Sequence, residues 1–134
     1  TDGHPPFLLG VNTVQPDLPV GSAFLGECVG TFLLVWTVMM TAVSHKSIAG
    51  NIAPLAIGWS VLLAHLVLVP LTGCGINPAR SLGPMLVVIM AGAKVSYEGW
   101  WIYYTAPFVG SAAATFICVY LFGVYGDCKE EISG

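Results

Sequence analysis

The residues able to do chemistry in this chain are few and lie close together. Thr72-Gly-Cys-Gly-Ile-Asn-Pro-Ala-Arg-Ser81 is a polar string between apolar runs, with His65 twelve residues before Asn77 and Glu27 in an apolar run upstream. These groups include no nucleophile with its base, no metal cluster and no cofactor fingerprint, so the chain does not read as an enzyme and no cofactor is implied. Asn77, Arg80 and His65 can instead offer hydrogen-bond donors and acceptors to a polar solute. Pro78 suits the first position of a helix, with Asn77 as its N-cap. A short helix from Pro78 towards Met90 would aim its first-turn amides and positive dipole end back along Gly73-Cys74-Gly75-Ile76. Gly73 and Gly75 allow an unwound backbone to pass a constriction with its carbonyls pointing one way.

The elements around this string read as membrane spans. The chain has 134 residues, of which 56% are hydrophobic and 8% charged, and its mean hydropathy is +0.83. A soluble domain carries about 25% charged residues because its surface faces water, so lipid is the simpler solvent and the chain reads as an integral membrane protein. A net charge of -3 excludes nucleic acid as a partner. The four cysteines form no CxxC pair or cysteine-histidine cluster, and no disulfide framework or metal site is implied.

Residues 1–19, with four prolines, read as an irregular extramembrane loop. The first apolar run begins only near Val20, so these residues do not read as a signal peptide. Spans are expected at 20–43, 52–71 and 100–124, each long enough to cross about 30 Å of hydrocarbon. His45 and Lys46 fall in the first connection, and Lys46 marks that side as cytoplasmic. Residues 72–90 hold too few apolar residues to cross and read as a re-entrant loop and half-helix. Non-helical backbone at membrane depth survives only where protein buries it or water lines it. Trp100, Trp101, Tyr103 and Tyr104 open the third span as an aromatic group suited to the interface. Residues 125–134 form a polar, acidic tail. Small residues recur at helical spacing, Gly26 and Gly30, then Ala56, Ser60 and Ala64, then Ala106, Gly110 and Ala114, which suits a tight bundle.

The string 72–81, with His65 before it, closely resembles the second half of an aquaporin, of the major intrinsic protein family. The resemblance runs over nearly the whole chain. Gly21 to Val35 is similar to the family's fourth span with Glu27 at its buried glutamate, Pro54 to Pro70 to the fifth, and Trp101 to Gly110 to the start of the sixth. It implies an all-α membrane protein of three transmembrane helices plus one re-entrant half-helix, the second repeat of an inverted-repeat fold. It also implies passive water permeation. Asn77 would donate to water at the pore centre, and His65 and Arg80 would belong to the narrow filter, lined by Cys74 with the Gly73 and Gly75 carbonyls nearby. Glu27, Pro78, Ala79 and Ser81 would support the loop. His65 and Ser81 resemble the water-selective branch, whereas Met85 and Tyr104 stand where that branch usually has alanine and tryptophan. The family's homotetramer is implied as well.

The resemblance supplies one repeat of two. Alone, it would leave Asn77, Arg80 and Glu27 facing lipid at a cost of several kcal/mol for each unsatisfied group. Three sources of a complement stay open. The chain is a fragment of a full-length channel, or it pairs with a second chain or a second copy. Otherwise it is a non-conducting structural subunit, packed in a larger membrane complex such as a photosynthetic or respiratory assembly. Besides membrane lipid, the expected partner is therefore the first-repeat half of the channel or another membrane subunit.

Overall fold

The apolar runs become helices. The computed structural model describes residues 10–44, 46–93 and 95–124; the first nine residues, His45, Lys94 and the tail 125–134 lie outside the described residues. Four α-helices follow in order: α1 (Val20–Val38), α2 (Ala53–Thr72), α3 (Pro78–Met90) and α4 (Ile102–Tyr120). No strand occurs among the described residues. α1 runs on through a π turn, Met39–Val43, which ends where Ser44 N–H donates to the Met39 carbonyl at 2.9 Å. A 3-10 turn, Gly50–Ile52, leads into α2. Three helical stretches are long and apolar enough to cross a membrane, and Pro78–Met90 is a shorter apolar helix.

α1 lies between α4 and α2, and small residues let both neighbours approach. On α4, Ala106, Gly110 and Ala114 are all buried. A Cβ at Gly110 would overlap the Cys28 carbonyl oxygen, so the two backbones touch at that point. Cys28 Sγ donates across the same crossing to the Ala106 carbonyl at 3.4 Å. On the other side of α1, a Cβ at Gly26 or Gly30 would come within 2.9 or 2.7 Å of a Leu68 methyl of α2. Ser60 and Ala64 are buried and Ala56 is half-buried. Helices in lipid gain association energy from such close packing, since the acyl chains are as apolar as leucine. The opposite side of α2 presents Leu55, Trp59, Leu62, Leu63, Leu66 and Val67 outward.

Two segments differ from their sequence reading. Residues 10–19 are irregular, and they add to the core, which their composition does not suggest. Val11 and Asn12 are buried, Val11 packs with Met85, Val88, Trp100 and Tyr103, and Val14 and Leu18 pack on the base of α1 and α4. Gln15 N–H donates to the Leu71 carbonyl at 2.9 Å, tying this strap to the end of α2. The aromatic group at 100–104 also divides. Trp101 is exposed, Tyr104 half-buried, and Trp100 and Tyr103 are buried. Composition marks a cluster of rings as interfacial but cannot say which helix face each ring takes.

Met85 is buried in the cluster of Val11, Val88, Trp100 and Tyr103, and Tyr104 packs against that same cluster. Met85 and Tyr104 thus border one packing site. Met85→Ala is expected to destabilise the bundle by about 2–5 kcal/mol through the cavity left behind. Adding Tyr104→Trp is expected to restore part of that loss, with a coupling above about 0.5 kcal/mol. Denaturation of the single and double variants in detergent measures both, and strictly additive losses would show that the positions do not compensate.

Candidate functional site

The turn between α2 and α3 is built around one carboxyl group. Glu27, in the second turn of α1, has no exposed surface. Its Oε1 accepts from Gly75 N–H at 2.8 Å and from Thr72 Oγ1 at 2.5 Å, and its Oε2 accepts from Ile76 N–H at 2.6 Å. These amides need a partner because α2 stops at Thr72. Gly73 takes φ +75° as the left-handed cap, and two non-glycine residues, Cys74 and Ile76, follow with φ of 56° and 44°. A left-handed isoleucine is strained backbone, tolerated only where its surroundings over-determine it. Here the carboxyl group takes the loop's amides, and Thr31 Oγ1 lies 3.4 Å from the Ile76 carbonyl. Gly75 has no room for any side chain: a Cβ would lie 2.6 Å from Tyr103 Cδ1, 2.9 Å from Ser81 Oγ and 3.1 Å from Glu27 Oε2.

Asn77 opens α3 in extended conformation and caps it. Its Oδ1 accepts from Ala79 N–H at 2.9 Å and, longer, from Arg80 N–H at 3.4 Å. Pro78 fills the first helical position, where no amide is needed. The oxygen end of the Asn77 amide is thus committed to the helix. Its Nδ2 donates to nothing among the described residues, on an exposed side chain. Such a group can only donate to an incoming solute.

Arg80 sits in the first turn of α3, half-buried, and does not snorkel freely. Its Nη1 donates to the Gly10 carbonyl at 3.0 Å and to Asn12 Oδ1 at 2.6 Å. His65 lies half-buried on α2, and its Nδ1 is 2.8 Å from the Val61 carbonyl one turn back. A carbonyl can only accept, so this contact needs a hydrogen on Nδ1, and Nε2 has no partner among the described residues.

The remaining sequence candidates divide. Ala79 is exposed, Gly73 and Pro78 are half-buried, and Gly75 is buried. Cys74 is fully buried in a cluster with Ala64, Leu68 and Ile76. Ser81 is also fully buried, with its Oγ unpartnered among the described residues.

Three residues that hold the site were not singled out in the sequence. Thr72 gives its hydroxyl to Glu27 and accepts Cys74 N–H at 3.3 Å. Tyr103 Oη donates to the Thr72 carbonyl at 2.6 Å, and Asn12 Nδ2 reaches the same oxygen at 3.5 Å. Thr72 stood in the string without a role, and Tyr103 was read by ring type alone. Asn12, in a proline-rich stretch, carried no signal.

A sequence profile described as "Major intrinsic protein" matches residues 6–118. The chain is 41% identical over 109 residues to "Probable aquaporin PIP-type 7a" of Pisum sativum, covering 78% of this chain and 37% of the relative. It is 41% identical over 109 residues to "Probable aquaporin PIP2-8" of Oryza sativa subsp. japonica, covering 78% and 39%. To "Aquaporin-1" of Sus scrofa it is 38% identical over 117 residues, covering 87% and 41%. The chain thus spans about two fifths of the length of the curated relatives it matches. The match covers the helices, the glutamate-held turn and the capped half-helix together, and the chain belongs to the major intrinsic protein family.

Proposed function

We propose that this chain is the second-repeat half of a water channel, passing water without energy input once a first repeat completes the passage. Asn77 carries the reading. Its acceptor is spent on the cap and its donor is presented outward at the positive end of α3. Beside it, the guanidinium of Arg80 and the helix dipole repel cations and protons, while donors replace the hydrogen bonds that water gives up. His65, with its Nε2 uncommitted, would narrow the filter with Arg80, and Gly73 would contribute its backbone. Glu27, Pro78, Ala79, Ser81 and the buried Cys74 and Gly75 would set the loop's shape. The complement is a first-repeat half, carrying the facing Asn-Pro-Ala loop, and the completed channel would assemble as a homotetramer in the membrane.

Stopped-flow shrinkage of vesicles tests this. Vesicles with this chain alone are expected to shrink no faster than bare vesicles. Vesicles holding the chain with a first-repeat polypeptide from a relative are expected to shrink several times faster. A completed channel no faster than bare lipid would sink the water-channel reading. Fast shrinkage with the chain alone would sink the need for a complement.

A further inference from the structure

Arg80 is the only arginine in the chain, and its position is set from outside the half-helix that carries it. Both Nη1 hydrogens are used, one by the Gly10 carbonyl and one by Asn12 Oδ1. The second contact is the shorter, at 2.6 Å, and its charged donor makes it stronger than a bond between neutral groups. Nη2 and Nε have no partner among the described residues, and they are the donors left to meet a solute. Asn12 is itself fixed: it has no exposed surface and its Nδ2 reaches the Thr72 carbonyl at 3.5 Å. Gly73 lies against it so closely that a Cβ there would be 3.0 Å from Asn12 Nδ2 and 3.3 Å from its Cα. One side chain on the strap therefore touches both walls of the break, the end of α2 and the first turn of α3.

We propose that Asn12 is the positioning residue for Arg80: it holds the guanidinium at one rotation and so sets how wide a solute the filter admits. This rests on the reading of Arg80 as a filter residue, and it predicts a change in selectivity rather than in fold. Without the Asn12 amide, Thr72 keeps Tyr103 Oη as a donor and Arg80 keeps the Gly10 carbonyl. The bundle therefore stands while the guanidinium gains room to swing.

Asn12→Ala removes the acceptor, and Asn12→Asp keeps it. With arginine labelled by 15N, only Arg80 reports, and rotation about its Cζ–Nη bonds is read in the 134-residue chain in phosphatidylcholine bilayers. Rotation is expected to speed by about tenfold in Asn12→Ala, the scale of one lost hydrogen bond to a charged group, and to stay slow in Asn12→Asp. With the first-repeat polypeptide added, the ratio of glycerol to water permeability is expected to rise severalfold in Asn12→Ala only. A merely structural role would lower both permeabilities together and leave their ratio unchanged. Unchanged rotation in Asn12→Ala, or faster rotation with an unchanged ratio, overturns the proposal. If the completed wild-type chain carries no water, the permeation reading falls, and the rotation rates alone decide whether Asn12 holds Arg80.

Discussion

Glu27→Ala is expected to lose most of its folded protein, and Glu27→Gln is expected to lie between it and the wild type. The alanine leaves Gly75 N–H and Ile76 N–H without their acceptor, while the Thr72 hydroxyl falls back on the Leu68 carbonyl at 3.2 Å. Each buried donor left so costs about 1–3 kcal/mol, and in a lipid-facing bundle water cannot substitute. The left-handed residues 74 and 76 would then have nothing to oppose their strain. Glutamine keeps one oxygen for two of the donors but turns its own NH2 towards the third, a donor against a donor. Folded fraction in detergent and water permeability of the completed channel should both follow the order wild type, glutamine, alanine. A glutamine variant equal to the wild type in both would mean that the loop does not depend on having two acceptors.

The second large effect lies at the helix crossing. Gly110→Val is expected to destabilise the bundle by about 3 kcal/mol, the upper end for overpacking. The new Cβ would meet the Cys28 carbonyl oxygen, and Phe32 N lies 3.1 Å from it. Both obstacles on α1 are backbone, which cannot rotate aside as a side chain can. Separation of α1 from α4 would also part Cys28 Sγ from the Ala106 carbonyl. Gly58→Val is the control, since a Cβ there has nothing within 4 Å. Thermal denaturation in detergent should separate the two variants widely, and equal midpoints would show that the crossing has slack.

The parts of this architecture that were legible in the sequence are those written by local rules. Apolar run length marks α1, α2 and α4, and Asn77 followed by Pro78 marks the start of α3 from capping chemistry alone. Ala106, Gly110 and Ala114 announce a close approach by their spacing. What local rules do not carry is the partner of each polar group. The link from Glu27 to Gly75 and Ile76 joins residues 48 and 49 apart, and only the resemblance to a family suggested it. The left-handed backbone at Cys74 and Ile76 is a conformation that such residues rarely adopt. Asn12 meets Arg80 across 68 residues, and a lone asparagine among prolines looks like any loop residue.

That separation also bears on how the chain is made. Translation delivers Glu27 into the bilayer with α1 long before the amides of residues 75 and 76 emerge from the ribosome. An ionisable side chain inside a lone inserted helix is costly until it finds a partner. α1 by itself is therefore a hesitant passenger at the translocon, and its lodging is completed only when the turn after α2 arrives to claim the carboxyl group. The strap that grips Arg80 precedes all of this in synthesis, and its grip has to wait until α3 has followed.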